Sequence, residues 1–202
     1  MQTIKIGNSE IFLLGTIHGL VSEKEKVRSA FNSVKPDALA LAVQSEDIPA
    51  LTELSGGMEH EKREPDDAFL KKLSKYGAVE VPPPDLILAY GAAKNLGIPV
   101  YAVDLDDAAY ADAFCRNISA FALIRQSLRL RRLEKRNYKA KTPEEFALEW
   151  DRLHNKVNGY RCLEEARERK IAVEIRALAS KHGKILAVVD LQREKGIIEK
   201  LK

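Results

Sequence analysis

A histidine stands three residues after a glycine at the end of an apolar run, Ile11-Phe12-Leu13-Leu14-Gly15-Thr16-Ile17-His18. The apolar residues suit a buried strand and the glycine permits a turn. An imidazole delivered to the rim of a sheet sits where open α/β folds bind their ligands. Three other apolar runs end on polar groups: Ala38 to Val43 before Gln44, Ile98 to Val103 before Asp104, and Lys184 to Val189 before Asp190. In a parallel sheet these ends share one edge, so His18, Asp104 and Asp190 are expected to converge. A neutral imidazole beside two carboxylates can hold a divalent metal, with His18 as a ligand, or run acid–base chemistry. The structural reading competes with it. An aspartate after a strand frequently caps the next helix, as Asp104 would ahead of Leu105-Asp106-Asp107, and a lone histidine is more often hydrogen-bonded structure than a ligand.

The elements that must position these groups are legible in outline. Thr3 to Ile6 and Glu10 to Leu14 flank Gly7-Asn8-Ser9, a pattern for an antiparallel hairpin. Ser22 with Glu25 suggests a capping box for a helix running to about Val34, which Pro36-Asp37 ends. Residues 46–84 read as short helices broken by Gly56-Gly57, Pro65 and Pro82-Pro83-Pro84. A helix from Asp85 to Asn95 closes at Gly97 and returns as the strand ending in Asp104. From Asp106 to about Tyr138 the chain favours helix with little interruption. Thr142 and Pro143 then cap a further helix, and helix continues to His182 and Gly183. The last strand reaches Asp190, with a short helix over 197–201. The fold expected is α/β, a mixed and largely parallel sheet flanked by helices. It opens with a β-hairpin and carries a long helical insertion, an arm at about 106–182, within a single domain over 1–202.

Composition excludes several classes. The chain has 202 residues, 45% of them hydrophobic and 31% charged, with 33 basic against 30 acidic side chains for a net charge of +3. That balance gives no bulk attraction to nucleic acid or to a membrane. No apolar run approaches the roughly 20 residues a bilayer span needs, and no signal peptide precedes the first strand. Cys115 and Cys162 lie far apart without metal-type spacing and read as reduced, buried thiols. These features point to a soluble, cytoplasmic protein.

In their order along the chain, several segments resemble the TraB/PrgY/GumN (pheromone-shutdown, Tiki-like) family. Leu14-Gly15-Thr16-Ile17-His18 followed by Ser22 is similar to the family's GxxH block. Lys35-Pro36-Asp37-Ala38-Leu39-Ala40-Leu41 resembles its PDxVxxE block, and Gly97 to Asp104 the block ending in Asp-Arg. Glu168-Arg169-Lys170-Ile171-Ala172 resembles ERxxxA, and Ile185 to Leu201 the last strand with its second GxxH. The resemblance implies a ChaN/erythromycin-esterase-like α/β fold and, for Tiki-type members, metal-dependent peptidase chemistry. It nominates Gly15, Thr16, Arg169 and Arg193 as ligand-binding, beside His18, Asp104 and Asp190 as catalytic. This chain departs from the pattern: Ala42 replaces the strand-end glutamate, Leu105 follows Asp104 in place of arginine, and Arg193 stands where the second histidine would be. A fixed cation at that place argues for an anion over a metal. The leading expectation is therefore a non-catalytic member that binds a small anionic ligand or a protein partner at the sheet edge. The alternative is a metal-dependent hydrolase of peptidase or esterase type.

Other residues have simpler readings. Arg125, Arg129, Arg131, Arg132, Lys135, Arg136 and Lys139 interleave with Phe121, Leu123, Ile124, Leu128, Leu130 and Leu133. The pattern suits either an anionic partner or, as preferred here, an arm whose apolar stripe packs on acid-rich helices at 143–182. Such an arm also offers a homodimer surface with Trp150 and Tyr160 as anchors. His60 falls in a charge-dense stretch, His154 has no partner one turn away for an HExxH site, and His182 reads as a helix C-terminal residue.

Overall fold

The computed structural model describes residues 1–56 and 67–202, so Gly57, His60 and Pro65 lie outside the described residues. Five strands form one sheet: β1 (Gln2–Ile6), β2 (Ser9–Thr16), β3 (Ala38–Leu41), β4 (Val100–Ala102) and β5 (Lys184–Asp190), in the order β1-β2-β5-β3-β4. The β1–β2 pair is antiparallel, and the β2–β5, β5–β3 and β3–β4 pairs are parallel. Gly7 turns the hairpin at φ 58°, a conformation that glycine adopts without steric cost. The last strand in sequence is the central one, inserted between β2 and β3.

Alternation along the strands explains both faces of the sheet. Ile11, Leu13, Ala38, Ala40, Ile185, Ala187 and Val189 point to one side, where they pack with Ile171, Ile175 and Leu178 of α8 (Asn158–Ala179) and Ile197 and Leu201 of α9 (Leu191–Leu201). Leu14, Leu39, Leu41, Leu186 and Val188 point to the other side. There they meet α1 (Glu23–Val34), α2 (Ile48–Ser55) and α4 (Pro84–Leu96). A third cluster joins Ile17 and Leu20, on either side of His18, to α3 (Ala68–Leu73), α6 (Ala120–Lys135) and α7 (Pro143–His154). Its centre is aromatic, with Phe69, Tyr76 and Tyr138 all packed around Phe146.

The helical insertion packs on the rest of the chain, Leu130 and Leu133 of α6 meeting α7. It breaks at Ile118-Ser119 between α5 (Asp107–Asn117) and α6, its last helix α8 is a layer of the core, and α6 and α7 cap the carboxyl edge of the sheet. Trp150 is buried in the third cluster and is not an open dimer anchor, while Tyr160 is half-buried against Phe114 and His154. Local details also shift. Ser22 lies in helical backbone and makes no side-chain cap bond, so there is no capping box. α8 ends at Ala179 with Ser180 as its cap, and the closing helix α9 starts directly after β5. Cys115 is exposed, Cys162 half-buried, and both thiols are free. No helix among the described residues is long and apolar enough to cross a membrane.

Candidate functional site at the carboxyl edge

β2, β5, β3 and β4 run parallel, so their carboxyl ends open on one side, and a cleft of about 560 Å³ lies there. His18, Asp104 and Asp190 all line it, with Ala42 and Leu105 on its apolar wall. Asp47, Asp107 and Tyr110 contribute from the helices that follow β3 and β4.

The histidine is fixed from behind by a residue that the sequence did not single out. Asp85, fully buried in the first turn of α4, accepts a hydrogen bond from His18 Nδ1 at 2.6 Å and one from Thr16 Oγ1 at 2.8 Å. A carboxylate only accepts, so Nδ1 carries a proton. Pro84 opens α4 and Asp85 follows at the helix N-terminus, where backbone dipoles favour a carboxylate. Burial pushes the Asp85 carboxyl up, but the His18 charge and the bonds from His18 and Thr16 outweigh it and hold the group below its ordinary value. His18 behaves reciprocally. Burial opposes its charged form, yet Asp190 and Asp85 together raise it to about 9. The two carboxylates thus favour the imidazolium form of the ring. Its Nε2 is shielded from solvent, 3.4 Å from Asp190 Oδ1, and makes no hydrogen bond.

The two strand-end aspartates are joined by Arg167 of α8. Its Nε and Nη2 donate to Asp104 Oδ2 at 3.0 and 2.6 Å, its Nη1 donates to Glu164 at 3.0 Å, and Nη2 lies 3.6 Å from Asp190 Oδ2. Asp104 does not cap α5; that role falls to Asp106, which accepts from Ala109 N. Asp104 is held instead by the guanidinium and by its bond from Leu105 N at 2.7 Å.

The remaining nominated residues sit elsewhere. Gly15 marks where α9 crosses β2: a Cβ there would lie 2.8 Å from Glu194 Oε2 and 3.1 Å from the Leu191 backbone, so its role is packing. Thr16 is buried and serves Asp85. Arg169 is exposed and does not line the cleft. Arg193 is buried and is not an open anion receptor. It pairs with Asp151, lies 3.6 Å from Glu164 and 3.5 Å from Glu168, and so already faces three carboxylates. The fixed cation expected at Arg193 is found at the cleft as Arg167.

Among the described residues no group of three or more His, Cys, Asp and Glu side chains could hold a metal ion. The donor chemistry explains why the residues do not fit a divalent cation. His18 Nδ1 is committed to Asp85, its Nε2 is shielded beside Asp190, and Arg167 already supplies positive charge to Asp104 and Asp190. His154 is partnered by Asn155 and pushed down by burial, and His182 Nε2 meets the Tyr101 hydroxyl at 2.9 Å, on other parts of the molecule.

Asp85 and Arg167 were missed for different reasons. An acid after proline at a helix start reads as an ordinary first-turn residue, and burial cannot be read from it. Arg167 did carry a signal. It falls on the four-residue spacing Leu163, Arg167, Ile171, Ile175, which is the inward stripe of α8. No protein-family model and no curated protein matches this sequence. Fold and site together define an α/β protein with a charged cleft at the carboxyl edge of its parallel strands.

Proposed function

We propose that this chain is a TraB-related protein that binds a small polar molecule in the carboxyl-edge cleft without a metal, with His18 as the ligand-facing proton donor. The observation that carries the reading is the His18 ring. Nδ1 is committed to buried Asp85, while Nε2, shielded at the cleft edge 3.4 Å from Asp190 Oδ1, makes no hydrogen bond. A buried donor without a partner costs free energy of about 1–3 kcal/mol, which an acceptor oxygen on a ligand would recover. The cleft wall carries four carboxylates, Asp47, Asp104, Asp107 and Asp190, against His18 and Arg167. That balance disfavours a simple anion. It suits a zwitterion or a hydroxylated carboxylate, which offers an acceptor to His18 and donors to the acids.

A direct test is histidine-detected NMR titration with a panel of amino acids, dipeptides and hydroxy acids. The His18 nitrogen resonances should shift saturably with at least one zwitterionic or hydroxylated member, and a His18→Ala variant should lose that binding. A panel that leaves His18 unmoved, while simple anions such as acetate or phosphate move it, would sink the reading.

A second reading, hydrolysis, is favoured by one specific feature. The Thr16–Asp85–His18 relay orients a protonated ring as a general acid is oriented. Turnover of an ester or peptide panel by wild type, lost in His18→Ala and sharply reduced in Asp85→Asn, would favour it over binding alone.

A further inference from the structure

The first turns of α6 are apolar and uncovered. Ala120, Phe121, Leu123 and Ile124 are all exposed, with Phe121 at 67% and Ile124 at 60%. Phe121, Ile124 and Leu128 form one stripe at i, i+3 and i+7, and Leu128 is also exposed. The opposite side of the helix does its packing. Gln126 and Leu133 are buried, and Leu133 and Leu130 join the aromatic cluster of α7.

Cations border this stripe. Arg125, Arg132 and Lys135 share its face, and Arg131 lies beside it; all four are exposed and form no ion pair among the described residues. Within α6 five basic side chains, Arg125, Arg129, Arg131, Arg132 and Lys135, meet one acid, Glu134.

Three occupants compete for such a face. A second copy would bring two equally basic faces together, and like charges across an interface are costly. A nucleic acid would use the cations but leave Phe121, Ile124 and Leu128 in water. An anionic lipid surface uses both, with apolar side chains at the headgroup–acyl boundary and long basic chains reaching the phosphates. We propose that α6 docks this protein on the surface of an anionic bilayer, with Phe121, Ile124 and Leu128 inserted and Arg125, Arg131, Arg132 and Lys135 at the headgroups. The proposal is independent of what the cleft binds.

The test is flotation of the full chain with phosphatidylcholine vesicles, with and without phosphatidylglycerol. Binding should require phosphatidylglycerol and weaken as salt is raised. A Phe121→Ser/Ile124→Ser variant should bind about tenfold or more weakly, and Arg131→Glu/Arg132→Glu should lose most of the salt-sensitive part. These side chains are exposed, so both variants should melt as wild type does. Absent binding, equal binding to both vesicles, or undiminished binding by the serine variant would each overturn the proposal. So would a solution dimer that dissolves in the serine variant, or transfer RNA binding that the serine variant retains in full and that exceeds vesicle binding.

Discussion

His18 takes its character from what stands behind it. Asp85 has no exposed surface, accepts from both Thr16 and His18, and is answered electrostatically by the imidazolium alone at contact distance. Removing one partner of such a pair leaves a buried charge uncompensated and costs about 3 kcal/mol or more. Asp85→Asn should therefore lower the urea midpoint by a corresponding amount and return the His18 titration toward 6.5. A midpoint that does not move would mean that the pair is dispensable. Arg167→Met should destabilise comparably, because it strips buried Asp104 of both guanidinium bonds. If Arg167→Met melted as wild type does, Arg167 would not be the cation that holds the strand-end aspartates.

The elements were more legible than the site. Hairpin, parallel strands and the α4 helix followed from Gly7-Asn8, from continuous apolar runs and from prolines, all local signals. The convergence of His18, Asp104 and Asp190 followed from strand direction alone. What the sequence hid is tertiary. Whether an arginine such as Arg193 or Arg167 faces a cleft or a set of carboxylates depends on how α8 and α9 cross. That crossing is itself testable at Gly196, where a built Cβ would run into the Glu168 carboxylate. Glu168 is nearly buried, holds Lys200 at 2.8 Å and faces Arg193, so it cannot simply swing aside. Gly196→Ala should cost about 1–3 kcal/mol, read by thermal or urea unfolding. A neutral outcome would show that α8 and α9 are not tightly apposed there.

Across the whole molecule, charges alternate from Asp85 through His18, Asp190, Arg167, Glu164, Arg193 and Glu168 to Lys200, tying α4, the turn after β2, β5, α8 and α9 together. Stability should follow the His18 proton. With a folded value of about 9 against an ordinary 6.5, that proton contributes fully below pH 6.5, on the order of 3 kcal/mol, and the contribution is lost as pH rises through 9. Asp85 works in the opposite sense: its contribution is present above its ordinary carboxylate value and lost as pH falls through its depressed one. Urea unfolding at pH 6 and pH 9.5 should show the alkaline loss in wild type and its absence in His18→Gln; equal stability at both pH values in wild type would remove the charge from the account. The most direct test is the histidine itself. A nitrogen-detected NMR titration of the wild-type chain should find both His18 ring nitrogens protonated at pH 7 and a midpoint near 9. A neutral tautomer at pH 7, or a midpoint at or below 6.5, would contradict the central claim that the cleft rests as an imidazolium held by Asp85.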